Sequence, residues 1–189
     1  MSSAEPDLNE QRLRLLNGAE RSWLTLPASG EELPPELTVA MNTFDAGERE
    51  AAQAATEWLK HDAGRLYDIA RTRLLVADGR VLGFYALASA QVKLSGTDRQ
   101  QSFAGVEHSI PAALIAWIAK AQDAAIEGRE ILLHAVATAR RAAEHQATAV
   151  LVVDPFDDDT SQMWQERFGF RASAGRHSKR LWVSLALED

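Results

Sequence analysis

An apolar run, a polar break and a single glycine ahead of a long amphipathic pattern, all between Ile110 and Glu144, constrain this chain more than any other stretch. Ala112 to Ala119 is apolar and bulky, and Lys120 to Glu127 is polar. Gly128 opens a helical pattern in which Ile131, Leu132, Val136, Ala139 and Ala143 share a face at spacings of about 3.6 residues. A strand, loop, glycine and helix in this order leave the first N–H groups of the helix pointing into the loop, where its dipole favours an anion. Such a layout serves either as a phosphate cradle or simply as a tight turn, and the stretch by itself leaves both open.

The surrounding elements follow from local pattern. Residues 1–35 are polar, acidic and broken by Gly18, Pro27, Gly30, Pro34 and Pro35, an N-terminal extension with a short helix near Asn9 to Leu16 that Trp23 could dock on the body. From Glu36 to Phe44, Leu37, Val39 and Met41 alternate with polar neighbours, predicting a first strand, and Asp45 is the expected N-cap of a helix over Ala46 to His61. Asp78-Gly79 between Arg71–Ala77 and Val81–Val92 predicts a hairpin with a tight turn. Ser95 to Gly105 reads as a polar loop. Glu107 to Ala119 reads as a strand interrupted by Pro111, which suits an edge or a bulge.

After the long helix, Ala149 to Val153 is a buried strand by its continuous apolar character. Asp157 to Asp159 cap a helix to about Arg167, Phe168-Gly169-Phe170 closes it, and Leu181 to Leu187 is the last strand. The expected order is β-α-β-β-β-α-β-α-β. Consecutive strands followed by alternation imply an α+β fold with a mixed, mostly antiparallel sheet flanked by helices.

Charge and composition narrow the chemistry. There is no cysteine, so thiolate catalysis, disulfides and cysteine metal sites are excluded. His61, His108, His134, His145 and His177 do not pair at metal-ligand spacing, and no metal is expected. A net charge of −7 argues against a surface that is basic throughout, although Arg167, Arg171, Arg176, Lys179 and Arg180 follow one another with no acid between them. That run is either a solvated face or a contact for phosphates. With no apolar run of bilayer length and no basic-then-apolar leader, the expectation is a cytoplasmic protein with no membrane partner.

The element order, together with Trp164-Gln165-Glu166-Arg167-Phe168-Gly169-Phe170, resembles the GNAT superfamily of acyl-CoA-dependent N-acyltransferases. Within it, the TacT-like acetyltransferase toxins of toxin–antitoxin pairs are similar at Phe44-Asp45-Ala46-Gly47, Trp58-Leu59, Arg71-Thr72 and Val81-Leu82-Gly83-Phe84-Tyr85-Ala86-Leu87. The likeness spans residues 36–187, so the domain it implies is 36–189. It implies a V-shaped splay between strands 4 and 5 that takes acetyl-CoA, with Ile118 and Ala119 pairing the pantetheine arm and Gly128 and Arg129 holding the pyrophosphate. It further implies acetyl transfer to a primary amine, as on aminoacyl-tRNA, by direct attack on the thioester. The partners implied are tRNA, a ribbon-helix-helix antitoxin and a second copy in a homodimer.

The chain departs from that family's pattern in two places. The family loop reads glutamine or arginine, two residues, glycine, one residue, then glycine or alanine. Here Ala125 takes the first position and Glu130 the last. Glu130, Glu127 and Asp123 would repel a pyrophosphate, and Lys120 and Arg129 offset only part of that. The toxins also carry a tyrosine, thought to protonate the departing CoA thiolate, where this chain has Gln165; an amide cannot give up a proton at neutral pH. Trp164 beside it reads as core.

For the general base, Glu107 and His108 near the start of the fourth strand are the candidates, each equally a surface or hydrogen-bonding residue, while His134 among leucines reads as structural. Three readings remain open: an active N-acetyltransferase; a catalytically degenerate GNAT-fold binding or regulatory partner; and an interaction protein that receives a peptide strand by edge addition.

Overall fold

The structure is a computed structural model that describes residues 8–27, 31–66, 68–94, 103, 109–174 and 179–186. In chain order its elements are α1 (Leu8–Asn17), β1 (Ser22–Thr25), α2 (Pro35–Asn42), α3 (Glu50–His61), β2 (Ala70–Ala77), β3 (Arg80–Val92), β4 (Ile110–Lys120), α4 (Gly128–Ala143), β5 (Val150–Val153), α5 (Asp158–Phe168), β6 (Arg171–Ala172) and β7 (Leu181–Ser184). The strands form one mixed sheet in the order β1-β2-β3-β4-β5-β7-β6. β4 and β5 run parallel, while β1–β2, β5–β7 and β6–β7 are antiparallel. The expected α+β class holds.

The β4–β5 ladder extends from Ala112↔Val150 to Ile115↔Val153 and stops there. β4 itself continues to Lys120. Among the described residues, none of β4 beyond Ile115 pairs with β5. Asp78 and Gly79 have φ of 49° and 72° and close the β2–β3 hairpin, as two positive φ angles match the twist of the flanking strands.

Four expectations are corrected. Glu36 to Phe44 is not a strand: Pro35 begins α2, and the buried residues Leu37, Ala40 and Met41 follow helical spacing while Val39 is 62% exposed. Alternation over so short a run matched Leu37 and Met41 equally well to either period. α3 starts at Glu50 behind Arg49, so Asp45 caps no helix, and its Oδ1 accepts the Gly47 N–H at 2.8 Å. Ser22–Thr25, inside the segment read as an extension, is a strand of the sheet, paired from Ser22↔Val76 to Thr25↔Arg73. Pro111 lies on an interior strand, not an edge; it is the second residue of β4, where the missing N–H costs least, and its carbonyl accepts the Ala149 N–H at 3.0 Å. The expected loop over Ser95 to Gly105 lies outside the described residues except for Phe103.

The chain divides into two compact units, Met1–Ala86 with Trp117–Leu132, and Leu87–Ala116 with Leu133–Asp189. In the first, α3 buries Ala55, Trp58 and Leu59, and the Trp58 ring stacks on Phe84 at 5.8 Å and on Trp117 at 5.5 Å. Aromatic pairs at such separations add to area burial. In the second, Val150 to Val153 are all buried, as their unbroken apolar run predicts, and Val150 and Val152 share a cluster with Val92, Ile110, Ala112 and Trp182. α5 is capped by Asp157, which accepts the Thr160 N–H at 2.7 Å, and ends at Gly169 in the left-handed region. Its Trp164 is buried against Phe168 and Phe170. Among the described residues, no helix is long and apolar enough to cross a membrane.

Candidate functional site

The end of β4, the turn from Ala121 to Glu127 and the first turn of α4 form one continuous surface within the first unit. Gly83 makes this arrangement possible. A Cβ there would stand 2.3 Å from Ile131 Cδ1 and 3.0 Å from the Ala119 carbonyl oxygen, so a larger residue would force the Ile131 side chain to turn away and press on the β4 backbone. Gly128 differs: nothing lies within 4 Å of where its Cβ would be, and its φ is not positive. The fold does not need glycine at Gly128, and the space above it is open.

Residues far away in sequence tie the turn down. The Gln122 side chain donates to Asp45 Oδ2 at 2.8 Å, and its backbone N–H donates to the Asp45 carbonyl at 2.9 Å. Asp45, misread as a helix cap, thus anchors the turn. The Ala121 N–H donates to the Leu82 carbonyl at 2.8 Å, and Lys120 Nζ donates to the carbonyls of Ala121 and Ala124. These ties border a cavity of about 140 Å³ lined in part by Phe44, Asp45, Arg80 and Gln122, which is too small for a cofactor-sized ligand and marks a joint in the fold.

The acids of the turn are matched by cations from outside it. Arg80 Nη2 contacts Asp123 Oδ2 at 2.5 Å, and this hydrogen bond, outweighing the opposing effect of desolvation, holds the Asp123 carboxyl below its ordinary value of 3.8. Arg21, immediately before β1, donates from Nη1 to Glu130 Oε2 at 3.0 Å and from Nη2 to the Ala125 carbonyl at 3.1 Å. The repulsion expected from Asp123 and Glu130 is therefore largely cancelled. Glu127, Gly128 and Arg129 remain exposed, and the Glu130 N–H turns back to the Glu127 carbonyl at 3.0 Å. Ile118 and Ala119 lie partly buried on the stretch of β4 beyond the β5 ladder.

Glu107 and His108 lie outside the described residues. Gln165 is exposed on α5, where its amide donates to the carbonyl and Oγ of Ser161, both at 3.3 Å. His134 is partly buried on α4. The basic run is not a uniform cationic strip: Arg180 pairs with both Asp154 oxygens at 2.5 and 2.7 Å and donates to the Gln91 carbonyl, and Arg171 sits over the Trp182 ring. The Asp154 hydrogen bond raises the Arg180 pKa further. Arg176 lies outside the described residues, while Arg167 and Lys179 are exposed. Arg21, Arg80 and the Asp45–Gln122 tie were not read as site residues, because no motif or spacing connects positions 109, 43 or 77 residues apart.

No family model and no curated relative matches the chain. Solved structures do. AtaT complexed with acetyl-methionyl-tRNAfMet superposes with a TM-score of 0.70 at 18% identity, covering 87% of this chain and 95% of AtaT. A tyrosine-to-phenylalanine variant of KacT gives 0.68 at 19% identity, over 86% and 95%. A variant of the AtaT toxin bound to acetyl-CoA and the C-terminus of the antitoxin AtaR gives 0.64 at 18% identity, over 88% and 94%. The chain has the GNAT-like α+β fold seen in AtaT and in KacT.

Proposed function

We propose that this protein is an acyl-CoA-dependent N-acetyltransferase that transfers acetyl to a primary amine. The observation that carries the reading is the end of β4 beyond its ladder with β5, leading through a charge-compensated turn to an open α4 start at Gly128. In this reading the backbone of Ile118 and Ala119 pairs with the pantetheine arm. The α4 start at Gly128 and Arg129 receives the pyrophosphate, since free N–H groups and the helix dipole favour an anion there. Residues 36–189 form the transferase domain, and residues 1–35 are an extension that contributes β1 and Arg21. The acceptor class is supported by AtaT bound to acetyl-methionyl-tRNAfMet, which points to an aminoacyl-tRNA amine. AtaT bound to AtaR supports an antitoxin partner, here of ribbon-helix-helix type, with the toxin acting as a homodimer in the cytoplasm.

The amine nitrogen attacks the thioester carbonyl carbon, the C–S bond breaks, the ammonium proton passes to a base, and CoA leaves as thiolate. Glu107 and His108 are the candidates for the base. A thiolate is a much better leaving group than an amine anion, so it can leave unassisted and take its proton from water, more slowly than with an acid in place. The Gln165 amide, turned onto Ser161, favours a second reading in which the protein binds acetyl-CoA but does not turn it over and acts as a regulatory partner.

Calorimetry and thermal shift with acetyl-CoA up to millimolar concentration test the binding both readings share. Absence of heat and of any shift would sink both. Binding with no acetyl transfer to an aminoacyl-tRNA or a simple primary amine selects the second.

A further inference from the structure

We infer that Arg21 is a positioning residue for acyl-CoA, acting through Glu130 and the Ala125 carbonyl to make the turn before α4 acceptable to a pyrophosphate. The inference rests on the acetyl-CoA site proposed above and deepens it. From Lys120 to Glu130 the chain supplies two cations, Lys120 and Arg129, against three anions, Asp123, Glu127 and Glu130. Alone, that segment repels a phosphate. Arg80 and Arg21 reverse the balance to four cations against three anions, and each reaches its carboxylate across a long sequence separation.

Arg21 does more than neutralise a charge. Its second nitrogen donates to the Ala125 carbonyl, so the same guanidinium is held by both a side chain and a backbone oxygen of the turn. The Arg21 and Glu130 side chains are 48% and 39% exposed. A pair so exposed adds little to fold stability, so holding the fold together does not account for it. What it alters is the charge met by a ligand approaching Gly128. Screening by salt should weaken the effect, since the groups are near the surface.

The test is titration calorimetry of the full chain with acetyl-CoA at low ionic strength, with melting curves to confirm folding. Arg21→Ala should weaken binding roughly three- to fivefold, and Arg21→Ala combined with Glu130→Gln should recover most of that loss. Glu130→Gln alone, which keeps Arg21, should bind about two- to threefold tighter than the parent chain. All differences should shrink at high salt. A general structural role for Arg21 would produce neither the rescue nor the salt dependence. If the parent chain binds and Arg21→Ala binds equally well, or Glu130→Gln fails to rescue, the inference is overturned while the acetyl-CoA reading stands. If the parent chain gives no heat, both are lost. Should Arg21→Ala fold poorly, a weaker rather than tighter Glu130→Gln overturns the inference by itself.

Discussion

Two regions of the molecule depart from the pattern that their surroundings suggest, and they differ in what the rest of the fold does about it. In the turn before α4, unfavourable carboxylates at Asp123 and Glu130 are met by Arg80 and Arg21, and Gln122 is held by Asp45. Near the end of α5, Gln165 takes the position at which the proposed reaction calls for a proton donor, and its amide is engaged on Ser161 of the same helix. Charge is a long-range quantity, and any cation that the fold delivers nearby can restore it. A proton must come from a titratable group within hydrogen-bond reach, so a lost acid is harder to replace from elsewhere. On the proposed function, the turn before α4 therefore suits its role better than Gln165 does.

The comparison can be broken most decisively at Gln165. Replacing it with tyrosine should raise acetyl transfer by about 10²-fold in single-turnover assays, as expected for restoring a general acid. No change in rate would mean that this position does not reach the thioester and that the contrast between the two regions is not a catalytic one.

A smaller effect separates Gly83 on β3 from Gly128 at the α4 start. Gly83→Ala should destabilise the protein by about 1–3 kcal/mol in urea unfolding, because its methyl meets Ile131 and the Ala119 carbonyl. Gly128→Ala, with open space around it, should change stability by less than about 1 kcal/mol. Similar costs for both would show that the space above Gly128 is not open.

Asp157→Ala should cost about 1 kcal/mol by removing the α5 cap while leaving acetyl-CoA affinity unchanged. A parallel loss of affinity would connect α5 to ligand binding and blur the distinction drawn here.

The smallest expected effect is with pH. Asp123 is held below 3.8 by Arg80, so any stabilisation from their pairing is complete above that value and is lost only as pH falls through the lower folded-state pKa. An NMR titration of the Asp123 carboxyl should show its midpoint below 3.8, and Arg80→Ala should move it upward. A midpoint unmoved by Arg80→Ala would remove Arg80 from the compensation.

Much of the architecture was legible because it is written in local pattern. Asp78-Gly79 has few alternatives to a hairpin turn, Val150 to Val153 is apolar enough to require burial on both faces, and Asp157 and Gly169 mark the two ends of α5. Residues 36–44 were misread because Leu37, Val39 and Met41 satisfy a period of two, and only the burial of Ala40 and the exposure of Val39 show that the period is helical. β1 was missed because Ser22 to Thr25 is too short to display alternation, and it becomes a strand by pairing with β2.

The chain by itself determined where the α4 start would fall and that a polar turn carrying Asp123, Glu127 and Glu130 would surround it, because these follow from residue identity and periodicity along one segment. Tertiary structure alone decided whether the charges of that turn are balanced. Arg21 and Arg80 reach Glu130 and Asp123 only when the sheet and α4 have assembled, and a Coulomb interaction depends on distance in space rather than on separation along the chain.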